Sequence, residues 1–175
     1  MIRTGTATVA APAVPAASAT RRQLVTFAAG GELFAADIFS VERVLRHTAP
    51  RLLPNAAPWL RGVIEHAGTA IPVIDLRERL GLGAAETPVG ARILVVVAGD
   101  SRIGVTVDEV RAVRAIDPAL IEPPPAIYRG LAREYLEGVA RLDGELFVVL
   151  AITHLLDSTE RIEMARALAS EGAHG

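Results

Sequence analysis

Two glycines six residues apart, Gly62 and Gly68, return as Gly138 and Gly144, and the shared offset of 76 carries their neighbours with it. Val63 falls on Val139, Val73 on Val149, Leu76 on Ile152 and Leu80 on Leu156. An offset of 69 relates an earlier pair of segments, placing Gly30 on Gly99, Phe34 on Ile103, Ile38 on Val107, Val41 on Val110 and Val44 on Val113. A chain that repeats itself in this way builds one small unit twice.

The unit reads most clearly between Pro58 and Leu82. Apolar runs Leu60–Ile64 and Ala70–Ile74 flank a polar break ending in Gly68, which supplies the positive φ of a tight hairpin. Pro72 has no N–H to give a central ladder, so it belongs on an edge or at a bulge. Asp75 followed by Leu76–Leu80 and Gly81 reads as an N-capped helical turn with a glycine stop. Upstream, Gln23–Ala29 and Glu32–Ile38 form a hairpin about Gly30-Gly31, with Leu24, Thr26 and Ala28 on one face and Val25, Phe27 and Ala29 on the other. Residues Ile38–Arg46 have helical or irregular spacing before a return to strand, and Pro50, Pro54 and Pro58 mark a connecting loop.

Gly83–Gly90 is a glycine-rich link to the second copy. That copy has strands Arg92–Ala98 and Arg102–Val107 about Gly99-Asp100-Ser101, then the hairpin Gly138–Ala151 and a helical turn Thr153–Leu156. Between them Asp117–Tyr128, with Pro118 and Pro123-Pro124-Pro125, favours an extended polyproline path. Asp157 and Glu160 have the spacing of a helix cap, and Ile162, Ala165 and Leu168 give the terminal helix an apolar stripe. The expected organisation is a flexible Ala/Thr/Pro-rich lead, residues 1–22, then a duplicated region 23–157 with subdomains of about 23–85 and 91–157. A helix and tail, 158–175, complete it. Short strands at regular spacing with glycine turns make the fold class all-β, a pair of small barrels or sandwiches.

Composition narrows the chemistry. A formal net charge of −2 offers no positive field for polyphosphate, so nucleic acid is not the expected partner. The chain has no cysteine, which removes disulfides, thiol nucleophiles and cysteine-based metal sites and is compatible with a reducing cytoplasm. Every basic side chain other than histidine is Arg. No apolar run approaches the ~20 residues of a membrane span. His47, His66, His154 and His174 show no paired ligand spacing, none of the five serines sits in a G-x-S-x-G elbow, and Gly81-Leu82-Gly83 lacks the Lys and spacing of a phosphate loop. Asp75 and Asp108 each end an apolar strand, where capping or a turn is the ordinary role. No enzyme, cofactor or metal is expected; binding surfaces are.

The order Leu24-Val25-Thr26-Phe27, Asp37-Ile38-x-x-Val41, Leu53-Pro54-Asn55, Gly62-Val63-Ile64, Gly68-x-x-Ile71-Pro72-Val73-Ile74-Asp75-Leu76-Arg77, Val107-Asp108-x-Val110, Tyr135-Leu136-x-Gly138-Val139 and Leu155-Leu156 resembles the CheW family of chemotaxis coupling proteins. The resemblance covers about residues 22–157 and is most specific over Gly62–Arg77. It implies two five-stranded SH3-like barrels with short helices and a terminal helix. It also implies a cytoplasmic, non-catalytic adaptor, associated with membrane-bound receptor arrays, joining chemoreceptor tips to the regulatory domain of a CheA-type histidine kinase. Other CheW-like proteins are further partners that the resemblance allows.

Carried over position by position, the resemblance assigns receptor contact to Val41, Arg43, Gly62, Ala67, Gly68, Val110 and Val113, and kinase contact to Ala126 and Ile127. Two departures stand out. Where the family usually reads Asn-Leu-Arg-Gly this chain has Glu65-His66-Ala67-Gly68, so the family's arginine is Ala67, and its customary Glu after Val-x is Arg43. Such an exchange of charge points to altered partner choice. The alternatives are a scaffold that engages only kinase or only other coupling proteins, and, from another class, a small-ligand-binding or hydrolytic β-barrel.

Overall fold

The computed structural model describes residues 20–83, 85–127 and 133–172. Ten strands alternate with short helical turns: β1 (Arg22–Ala29), β2 (Glu32–Asp37), β3 (Val41–Arg46), β4 (Leu60–His66), β5 (Thr69–Asp75), β6 (Arg92–Ala98), β7 (Ser101–Val107), β8 (Glu109–Ile116), β9 (Leu136–Leu142) and β10 (Glu145–Leu150). Helix α1 (Leu76–Arg79) follows β5, and α2 (Ser158–Gly172) follows β10.

The strands form two five-stranded sheets, sheet 1 in the order β8-β1-β2-β10-β9 and sheet 2 in the order β3-β6-β7-β5-β4. Exchanging β1–β5 with β6–β10 converts one order into the other, so the duplication read from spacing extends to topology. The sheets do not coincide with the sequence halves 23–85 and 91–157: sheet 2 is the continuous stretch β3–β7, and sheet 1 joins β1–β2 to β8–β10. The cause is local. Asp37 caps one 3-10 turn, Ile38–Ser40, by accepting the Phe39 N–H at 2.9 Å, and this turn carries the chain off sheet 1 before β3 begins. The glycine-rich link therefore lies inside sheet 2, joining β5 to β6.

Alternation along the strands separates three apolar clusters. Leu24, Ala35, Ala140, Phe147 and Val149 cluster on one face of sheet 1, and Ile64, Ile71, Val73, Ile93 and Val95 on one face of sheet 2. The largest cluster lies between the sheets and includes Phe27, Phe34, Leu94, Ile103, Val105 and Leu150, with the two Phe rings stacked at 6.0 Å. Each sheet alone would bury too little, and their shared face supplies the bulk of the apolar burial. Arg111 and Arg114 of edge strand β8 pair with Glu145 and Asp143 at the tip of β9–β10, drawing the two edges of sheet 1 together.

The repeated glycines have one shared function each. At Gly62 and Gly138 a Cβ would overlap a backbone carbonyl oxygen, of Arg51 and of Glu122, because each lies beside a single antiparallel bridge, Arg51 to Val63 and Glu122 to Val139. Gly68 and Gly144 take the second place of two-residue turns with φ of 74° and 82°, preceded by Ala67 at 51° and Asp143 at 50°. Two successive positive φ values are the mark of a type I′ hairpin.

The capped helical turn is present: Asp75 accepts the Arg77 N–H at 2.9 Å, and Gly81 follows in the left-handed region. The terminal cap is present too, with Glu160 N–H to Asp157 at 2.8 Å and Asp157 N–H to Glu160 at 2.9 Å. The apolar stripe of α2 is rotated from the expected one. Met164, Ala167 and Leu168 pack on the inter-sheet core, while Ile162 and Ala165 face outward. The segment after β8 is likewise more folded than a polyproline path, since Asp117 caps a 3-10 turn at Pro118–Leu120. Tyr128 and His174 lie outside the described residues.

Candidate functional site

Charged groups that could serve catalysis are used to hold the sheets. Asp75 and Arg77 are each only 2% exposed and pair through two contacts, Nη2 to Oδ2 at 2.9 Å and Nε to Oδ1 at 3.2 Å. Arg77 also donates to the Glu86 carbonyl at 3.0 Å and stands 3.6 Å from Asp108, which accepts the Gly30 N–H at 2.8 Å. Burial opposes ionisation of Asp75, but the Arg77 side chain and N–H, with Arg61 beside them, hold its carboxyl below the usual range. Asp75 and Asp108 are thus structural anions. Arg79 lies over two rings, 5.5 Å from the centre of Trp59 and 5.3 Å from that of Tyr135, and donates to the Leu155 carbonyl at 2.6 Å. Trp59 and Tyr135 are themselves related by the offset of 76. Among the described residues no group of three or more His, Asp or Glu could hold a metal ion.

The seven positions that the resemblance assigns to the receptor lie on β3, β4, β8 and the β4–β5 turn. Val41 and Val110 both pack at the margin of the inter-sheet core, on edge strands β3 and β8. Val113 lies across from Val25, a residue of that core, so it shares the face of Val110 and is 47% exposed. Val44 lies across from Leu94 on the matching face of β3 and is 46% exposed. Each edge strand therefore carries a valine pair on its inter-sheet face. The offset of 69 that relates Val44 to Val113 was the signal available for including Val44.

Arg43 is on the other face. A bulge between Val41 and Arg43 sets Arg43 opposite Val95, which belongs to the cluster inside sheet 2. Beside it, Glu42 bonds Arg102 at 2.6 Å, and that bond, with the charges of Arg102, Arg43 and His66, lowers the Glu42 carboxyl against the opposing effect of burial. Ala67 and Gly68 form the β4–β5 turn, and Gly62 lies apart from it, against Arg51. Ala126 and Ile127 are both exposed after the prolines, Ile127 at 85%, in a short helical turn before β9. Phe39, in the turn between β2 and β3, is a further exposed aromatic group that spacing did not single out.

The model of the CheW-like domain matches residues 23–160. The chemotaxis protein CheW of Treponema pallidum is 31% identical over 82% of this chain and 86% of its own length. The protein FrzA of Myxococcus xanthus is 34% identical over 73% of this chain and 80% of its own. Among solved structures, the scaffolding protein TtCheW from Thermoanaerobacter tengcongensis superposes with a TM-score of 0.73 at 30% identity, covering 80% of this chain and 90% of that one. Two five-stranded sheets related by duplication, charged groups committed to structure and apolar residues left on the edge strands accord with that likeness. The chain belongs to the CheW-like domain family of non-catalytic adaptors in chemosensory signalling.

Proposed function

We propose that this adaptor couples the cytoplasmic tips of chemoreceptors to the regulatory domain of a CheA-type histidine kinase, within receptor arrays at the membrane. The observation that carries the reading is the pair of valine rows, Val41/Val44 and Val110/Val113, left partly uncovered on the inter-sheet faces of both edge strands. Half-covered apolar rows on edge strands suit partners that lay a helix along them. Ile127, fully outside this face, supplies an independent apolar anchor for the kinase. No helix among the described residues is long and apolar enough to cross a membrane, so array attachment on this reading runs through the receptors.

The test is a binding assay with the receptor signalling fragment and the kinase regulatory domain from the same source. Val113→Asp is expected to lose receptor and keep kinase, and Ile127→Asp to do the reverse. Equal loss of both partners in each variant would refute separate surfaces. Ala67 in place of the family's arginine favours a second reading, a scaffold engaging kinase alone, which a parent protein that binds kinase and no receptor would support. On the first reading the double change Arg43→Glu, Ala67→Arg alters which receptor is chosen, because it reverses both departures from the charges that the resemblance implies at these positions.

A further inference from the structure

On β3 and β6, Arg46 and Arg92 are direct cross-strand partners. Like charges set opposite each other on one face of a sheet repel and destabilise it. The structure relieves little of this. The Arg46 side chain makes no hydrogen bond or ion pair with any described residue, and among them the Arg92 side chain reaches only the carbonyls of Gly90 and Ala91, at 2.8 and 3.0 Å. The two arginines line an open cleft of about 570 Å³ with His47, Thr87, Pro88 and the fully exposed Val89. Among the described residues no carboxylate lines it.

The surroundings explain why the pair stays unmatched. Arg92, Val89 and Gly90 also border an adjoining cleft that holds Val110, Asp108 and Glu109. Both acids there are committed, Asp108 to the Gly30 N–H and Arg77, and Glu109 to Arg111 at 3.6 Å. The duplication provides a comparison within the molecule. The offset of 69 takes Arg46 to Ala115 and Arg92 back to Gln23, which are cross-strand partners on β8 and β1. One half therefore carries a cation pair where the other carries an alanine and an amide.

We propose that Arg46 and Arg92, with His47 beside them, form a carboxylate-binding pocket that receives an acidic side chain of the chemoreceptor tip as the receptor's apolar residues run along Val89 and Val110. This rests on the receptor-coupling reading above and adds the chemistry by which the receptor is read. Two guanidinium groups converging on one cleft suit a planar carboxylate. The apolar rim at Val89 and continuity with the cleft of Val110 favour a protein segment over a free anion. Since the counterpart position lacks the charge, the pocket also fixes which way round the receptor helix lies.

The experiment measures binding of the purified full chain to the receptor signalling fragment and to the kinase regulatory domain, at low and high salt. Arg46→Glu is the decisive variant because the Arg46 side chain has no partner among the described residues. Its affinity for the receptor fragment is expected to fall about ten- to hundredfold at low salt, with a weaker salt dependence than the parent, while its melting temperature stays level or rises as the like-charge pair becomes an opposite pair. Arg92→Gln should show a smaller loss. Unchanged receptor affinity in Arg46→Glu overturns the pocket, as does a loss confined to the kinase, which would assign the acid to the kinase. A fall in melting temperature parallel to the loss of binding would make the role structural. If the parent binds no receptor fragment, the coupling reading fails and the pocket's assignment with it.

Discussion

At Gly62 a methyl group would overlap the Arg51 carbonyl oxygen, whereas at Gly68 it would meet open space. Both residues have positive φ, yet the physical costs of replacing them differ. Gly62→Ala should lose about 2 to 4 kcal/mol through overlap and strain together, and Gly68→Ala about 1 kcal/mol from the left-handed backbone alone. Urea unfolding of the two variants checks this, and equal losses would contradict the bridge at Arg51. Ala67 precedes Gly68 with a φ of 51°, a region in which Asn is far better tolerated. Ala67→Asn should therefore gain about 0.5 to 1 kcal/mol in the same assay, a gain absent from a substitution at Asp143, which already suits its turn. The spacing of Gly62 and Gly68 was legible as a hairpin, but their difference was not. It depends on Arg51, eleven residues upstream of Gly62, folding back into a bridge that no local pattern announces.

Helix α1 is short, and its contacts explain why it is well held. Asp75 begins it as a cap and anchors Arg77, and Arg79 at its last position lies between Trp59 and Tyr135. Asp75→Asn should cost about 3 kcal/mol, since it leaves the buried Arg77 guanidinium only the more distant Asp108, at 3.6 Å, as a counter-charge. The folded carboxyl titrates below its unfolded value. Its stabilisation is thus complete above the unfolded pKa of about 3.9 and is lost as pH falls through the folded one. The parent should lose stability on acidification in that window, and Asp75→Asn should show a shallower acid limb in denaturant titrations. Arg79→Ala should release the start of α2, because Arg79 pairs with Glu160, and should shift the emission of the sole tryptophan, Trp59. Unchanged fluorescence would count against the stacking. Asp75 was readable as a cap and Asp157 with Glu160 as a capping pair because both are local patterns. The rotation of α2 was not readable: the tie from Arg79 to Glu160 turns that face inward, and Met164 and Leu168 follow it at intervals of four.

For the molecule as a whole, the order of strands decides which pieces can stand alone. A cut in the link between β5 and β6 gives two halves, neither of which contains a complete sheet, because β1–β2 need β8 and β10 while β3 and β5 need β6 and β7. Separate fragments ending and beginning in that link are expected to be unfolded by circular dichroism, and to recover strand structure when mixed. Independent folding of either half would contradict the pairing. Duplication and the all-β class were evident from glycine offsets and apolar alternation, while five strands to each unit followed from the family resemblance, β8 having no strand assigned to it by spacing. The allotment of strands to sheets was not, because a repeat in sequence specifies equivalent units and leaves open whether each unit pairs with itself or with its equivalent. The turn at Ile38–Ser40 makes that choice.

The strands of the two sheets are joined covalently at Ile38–Ser40 and at Asp108, and the Asp108 crossing is tied to the β1–β2 turn and to Arg77 of the other sheet. A crossing locked in this way is a poor hinge, and the large core between the sheets resists sliding as well. The adaptor is accordingly built as a strut. On the proposed coupling reading, a load placed at an edge strand is expected to displace the body as one unit, and hydrogen exchange at Gly30 and across the β7–β8 junction should hardly change when partners bind.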